Sequence, residues 1–184
     1  MEQYGKALTM KGDIPFKGSV SHNGTILKIH DNSFVTGFSK LTPAATVDPQ
    51  FGFGLWYTDA AARNNAVTTV KPLANAVFAG LLGRNPAIAS GQPAANNTVL
   101  PYNKADRLIE GFIVYKTGFN ASTGAEDQGF ADITIGMRLY INDLNGRPRF
   151  ATAGITIAGF TEIRSAKIVA VNPDDKSWTV RVTA

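Results

Sequence analysis

The chain has no cysteine, only two histidines and three methionines among its 184 residues, and charged side chains make up just 17% of it. Without cysteine there is no disulfide framework, no thiolate nucleophile and no sulfur-ligated metal. Soluble domains usually carry about 25% charged residues. A surface this short of charge has to be finished with Ala, Gly, Ser, Thr and Asn, or be covered in part by another protein. No apolar run is long enough to span a membrane, and the opening MEQYGKALTMKGDIPFKG lacks the apolar core of a signal peptide. The expectation is a chain made as a soluble cytosolic protein and held together by packing and by neighbouring subunits.

What charge there is leans positive, at +4 from 18 basic and 14 acidic residues. The excess is scattered along the sequence. Its densest basic cluster is Arg147 and Arg149 flanking Pro148 in an expected turn. Phosphate binding scales with the number of clustered cations, so two arginines on a loop do not predict a nucleic-acid partner. Sparse charge also gives weak long-range steering, which suits a subunit that assembles once and stays in place. Two notable stretches, Phe51–Thr58 and Asn85–Asn103, contain no charged residue. Both are expected to be covered by core or by a neighbour.

The length fits one compact domain. Residues 1–18 scatter Met1, Tyr4, Leu8, Met10, Ile14 and Phe16 among glycines and polar residues, with Pro15 removing a ladder donor, and read as an extended N-terminal arm. Residues 19–184 read as a single β-rich domain. Asn23-Gly24 marks a tight turn before a strand at Thr25–Ile29. Phe51, Phe53, Leu55 and Tyr57 recur with period two, and glycines in such a run signal a close backbone approach or a bulge. The apolar Ala76–Leu82 fits either a strand or part of a short helix. Gly80 and the flanking Pro72 and Pro86 favour the strand. Residues 85–105 hold three prolines and read as an ordered wrapping loop.

The last third is the clearest. Leu108–Lys116, Ala131–Ile141 and Thr161–Val171 are rich in Ile, Val and aromatics and alternate with turns. Asp143-Leu144-Asn145-Gly146 and Asn172-Pro173-Asp174-Asp175-Lys176 are expected hairpin turns. In the final strand, Trp178, Val180 and Val182 are expected to face the core, with Thr179, Arg181 and Thr183 outward. Successive hairpins must close or stack on a second layer to hide their apolar face. The predicted fold is mainly β, an antiparallel β-barrel or β-sandwich.

No catalytic constellation emerges. His22, His30 and Asp31 fall near one early turn, but a metal site needs a further ligand with its own supporting bonds. Glu126-Asp127 and Asp174-Asp175 are adjacent acids in loops, whereas paired catalytic carboxylates face each other across a cleft. Ser90 lacks the G-x-S-x-G elbow, and no phosphate-binding glycine motif is present. The expectation is no enzyme, no cofactor, no metal and no small-molecule substrate.

The run VFAGLLGRNPAIASGQPAANNTVLPYNKADRLIEGFIVYKTG, residues 77–118, followed by a hairpin-rich C-terminal region, resembles the decoration or cement proteins of tailed-bacteriophage capsids. The matching features are Gly80-Leu81-Leu82, the phrase Pro86 to Pro93, and Pro101-Tyr102-Asn103-Lys104 leading into a strand with Gly111 and Tyr115. The resemblance implies an oligomeric β-domain, often a trimer, on the capsid exterior between subunits of the major capsid protein. It implies no catalysis, nucleic acid or membrane. Interface centres favour aromatic and apolar anchors. Phe51, Phe53, Trp56 and Tyr57 are therefore expected to form one contact patch, buried on at least one face only after assembly. Pro86, Ile88, Pro93, Pro101 and Tyr102 form a second. A different class of reading makes Trp56, Tyr57 and Trp178 exposed stacking platforms of a carbohydrate- or receptor-binding module.

Overall fold

The computed structural model describes residues 23–27, 35–42, 49–59, 66–83, 104–116, 118–119 and 126–183. The expected N-terminal arm, His22, His30, Asp31 and most of the 85–105 loop lie outside the described residues. Lys104 and Ala105, the last two residues assigned to that loop, belong instead to a long strand.

In chain order the strands are β1 (Ile26–Leu27), β2 (Val35–Thr42), β3 (Gly54–Tyr57), β4 (Ala66–Thr68), β5 (Phe78–Leu82) and β6 (Lys104–Tyr115). They continue as β7 (Gly118–Phe119), β8 (Glu126–Gln128), β9 (Arg138–Asn142), β10 (Pro148–Ala151), β11 (Phe160–Asn172) and β12 (Ser177–Val182), with a 3-10 turn at Phe130–Asp132. Ten strands join in one sheet of order β10-β9-β11-β12-β6-β2-β4-β3-β5, with β1 also on β6, while β7 and β8 pair separately.

The 12-residue β6 organises the molecule. Its first half pairs with β2 and, through Leu81↔Leu108 and Leu82↔Arg107, with β5. Its second half pairs with β12 and β1, the change of neighbours falling at Glu110 and Gly111. The ladders β6-β2-β4-β3-β5 thus return to the strand from which they start. Among the described residues the other arm, β12-β11-β9-β10, ends at β10 without a further partner in that sheet, so the sheet as a whole is not closed. One ladder is parallel, from Lys40↔Ala66 to Thr42↔Thr68 between β2 and β4. The all-antiparallel expectation is corrected to a mixed sheet. Parallel strands need a crossover, and the segment after β2 reads as a connector instead of a hairpin turn because of its Pro43 and Pro49.

Close packing explains two of the strand glycines. Gly80 has φ +122, and a Cβ there would meet the Leu108 carbonyl oxygen where β5 crosses β6. A Cβ on Gly54 would run into the Ile141 side chain. The main core lies against β6, β9, β11 and β12 and includes Trp178, Tyr115, Phe150, Leu139, Ile141 and Ile163. Phe150 stacks edge-on with Tyr115 and Trp178, ring centroids 5.1 and 5.5 Å apart. A second cluster of Leu41, Leu55, Val67, Ala79 and Leu82 belongs to the strands of the returning ladders, joined by Phe53 just before β3. Burying a large apolar side chain contributes about 1.5–3 kcal/mol relative to exposure.

Both C-terminal hairpin turns form. Gly146 N–H donates to the Asn142 carbonyl, and the Asn142 side chain accepts from Leu144 N–H at 2.9 Å. Asn172 caps the next turn by accepting from Asp174 N–H at 3.1 Å. In β12, Trp178, Val180 and Val182 are buried and Arg181 is exposed as expected, but Thr179 is buried too. The strand expected from Ala131 starts only at Arg138. Before it, Asp132 accepts the Gly129 N–H at 2.9 Å and Gly136 adopts φ +94, which breaks the extended run. The outer edge of β10 is covered by a side chain: the Gln128 amide donates to Phe150 O at 2.7 Å and accepts from its N–H at 2.8 Å.

Candidate functional site

The described members of the expected aromatic patch divide between core and surface. Phe53 and Trp56 are 0% and 2% exposed within the single chain. Phe51 and Tyr57 are half-buried. Period two in this run therefore does not separate an inner from an outer face. Trp56 packs edge-on against Phe78 with centroids 5.9 Å apart, and Lys71 Nζ sits 5.2 Å from its ring centre. Trp178 is fully buried. The stacking-platform reading needed Trp56 and Trp178 in solvent, and the structure corrects it: both serve the chain's own core. Tyr57 is overlaid by the guanidinium of buried Arg107, which also donates to Ala79 O. Pro86, Ile88, Pro93, Pro101 and Tyr102 lie outside the described residues.

Asp175, of the adjacent acids Asp174-Asp175, has a local duty, as does Asp143 of the β9–β10 turn. Asp175 accepts from Lys116 Nζ at 2.6 Å, and Asp143 accepts from the Thr161 hydroxyl at 2.6 Å. Among the described residues, no group of three or more His, Cys, Asp or Glu side chains could hold a metal ion. Burial raises the pKa of the Tyr115 hydroxyl well above its ordinary value, and the phenol donates to Gly52 O. The Tyr140 hydroxyl is raised by burial first and by the Glu162 charge second. It lies 2.9 Å from Thr152 O and 3.1 Å from Ile155 O, tying down the β10–β11 loop. Both are phenols held neutral for structure.

Two surfaces stand out instead. The first is apolar: Leu144 is 74%, Leu73 64%, Ile135 62% and Ile155 46% exposed. The bond from Lys71 N–H to Asp143 O sets the segment bearing Leu73 beside the turn bearing Leu144. Ile155 lies within another uncharged stretch, Phe150–Thr161, which is exposed over most of its loop.

The second is a basic trough of about 200 Å³ lined by Arg138, Ser165, Lys167, Arg181 and Thr183. Register builds it: Lys167 pairs with Arg138 of β9 on one side and with Arg181 of β12 on the other. A register shift between Ile163 and Lys167 bulges β11 at this point, and bulges re-aim the side chains around them. The bulge is pinned from both flanks, by Arg138 Nη1 donating to Arg164 O at 2.9 Å and by Thr183 N–H donating to Ser165 O at 2.9 Å. These residues are far apart in sequence, so no local motif announces them.

The chain is thus a mixed β-sheet protein with two candidate interaction surfaces. It matches no protein-family model. No curated protein matches it either. Its fold is similar to that of a chain in the solved structure entitled "The capsid of Myoviridae Phage XM1", at TM-score 0.56 and 12% sequence identity, covering 94% of this chain and 96% of that one.

Proposed function

We propose that the protein is a non-enzymatic structural subunit of a bacteriophage particle that binds the outer surface of the capsid between major capsid protein subunits and stabilises the shell. The observation that carries this is the end-to-end likeness of fold to a chain from a phage capsid. The match extends over nearly the whole of both chains and is not limited to a shared hairpin. The lack of a metal-binding group among the described residues supports a binding role over a catalytic one.

The contacts follow from exposure. Leu73, Leu144, Ile135 and Ile155 are the exposed large apolar side chains of the described residues, and burying them gives an interface its apolar centre. Half-buried Phe51 and Tyr57 flank this role, with Pro86, Ile88, Pro93, Pro101 and Tyr102 as the second patch and self-association into a trimer. Co-sedimentation of the purified protein with emptied capsids and with isolated tails tests the proposal. It expects saturable binding to capsids and a higher temperature of shell rupture. Binding to tails alone, or none to capsids, refutes it.

A further inference from the structure

We infer that the trough formed by Arg138, Lys167 and Arg181 is a docking site for carboxylate side chains of another protein. Three cations occupy adjacent strands in direct register. Like charges placed directly opposite one another in a sheet are destabilising. Among the described residues no carboxylate lies within ion-pair distance of any of the three. The fold holds this row in place rather than relaxing it, since Arg138 is fastened to the bulge through Arg164 O and Thr183 through Ser165 O.

The geometry suits carboxylates. Two guanidinium groups and one ammonium offer planar forks and a point donor, and Arg–carboxylate pairs form paired, charge-assisted hydrogen bonds. Ser165 and Thr183 also line the trough, the Thr183 hydroxyl donating to Ser165 O at 3.2 Å. A single exposed ion pair is worth little. Several cations converging on a concave site act together and set the orientation of a partner. Nucleic acid is the poorer fit, because a phosphate backbone needs cations repeated along its path. Here the row stops at Phe112, the partner of Arg181 on β6, which packs with Leu27 and Val114. The inference stands on this geometry alone and holds whether or not the protein decorates a capsid.

Titration of the full chain with a hexaglutamate peptide at low salt provides the test, with hexathymidylate as the nucleic-acid comparison. The double variant Lys167→Ala/Arg181→Ala is expected to weaken peptide binding at least about tenfold. Lys176→Asn, which removes one exposed cation from a turn, is expected to change it less than about twofold. The double variant should unfold at the same temperature as the parent or higher, because the cross-strand repulsion is gone. The inference is overturned if the parent binds no hexaglutamate, if it binds hexathymidylate more tightly, or if the two variants bind the peptide alike.

Discussion

Tyr115 concentrates much of the molecule's chemistry at one residue. Its ring lies edge-on to Phe150 in the main core, and its hydroxyl donates to Gly52 O. Tyr115→Phe keeps the ring and strands that carbonyl, so it should cost about 1–3 kcal/mol in chemical denaturation. The hydroxyl also imposes a pH dependence. Its folded pKa lies above the unfolded value of about 10, so above that pH the unfolded chain gives up a proton that the folded chain keeps. Stability is then full below about pH 10 and falls as pH rises beyond it. Tyr140 is raised as well and adds to the fall. Unfolding midpoints measured from pH 8 to 11.5 should decline only in the upper part of that range, and Tyr115→Phe should decline less steeply. Gly80→Ala faces both a positive φ and the Leu108 carbonyl. It should cost at least about 2 kcal/mol in the same assay.

At the scale of elements, the β9–β10 turn and the β11–β12 turn set the register of the strands that carry the trough. Gly146 has φ +79 and lies against Gly54 O and Thr69, so Gly146→Val should destabilise the protein by at least about 2 kcal/mol. Lys167→Ala, on the exposed face, should change stability by less than about 0.5 kcal/mol. Equal losses in thermal unfolding would contradict the turn geometry. These turns were legible in the sequence because Asn-Gly and Asn-Pro-Asp carry local backbone preferences that need no tertiary context. Gly54 of β3 was legible as a marker of close approach or a bulge, whereas Gly80 of β5 was read only as favouring a strand over a helix, since its approach to Leu108 depends on the pairing with β6. Residues 131–137 were misread as strand, since Ile133 and Ile135 alternate while Asp132 and Gly136 steer the backbone elsewhere. The trough was invisible to local patterning. Arg138, Lys167 and Arg181 meet only through pairing across three strands, and the bulge that shapes their site depends on register.

Over the whole molecule, the mainly β composition was readable from hairpin spacing and the density of Ile, Val and aromatic residues. The parallel β2–β4 ladder was not, because strand direction depends on how a connection crosses the sheet. The aromatic run FGFGLWY shows the same limit: an uncharged segment marks something covered, and the structure covers Phe53, Leu55 and Trp56 with the chain itself. Among the described residues, the large apolar side chains that stay exposed are Leu73, Ile135, Leu144 and Ile155. Replacing Leu144 and Ile155 together by serine should leave the unfolding free energy within about 0.5 kcal/mol of the parent while weakening the proposed capsid attachment in co-sedimentation. A fall in both would place these side chains in the fold instead of the interface. The central proposal, a shell-stabilising subunit on the capsid exterior, is tested most directly by an electron cryomicroscopy map of the particle proposed to carry the chain. The account predicts density for this fold at repeated positions on the outer capsid surface, bridging neighbouring capsid subunits. Its absence from the shell, or its presence only in the tail, would contradict the account.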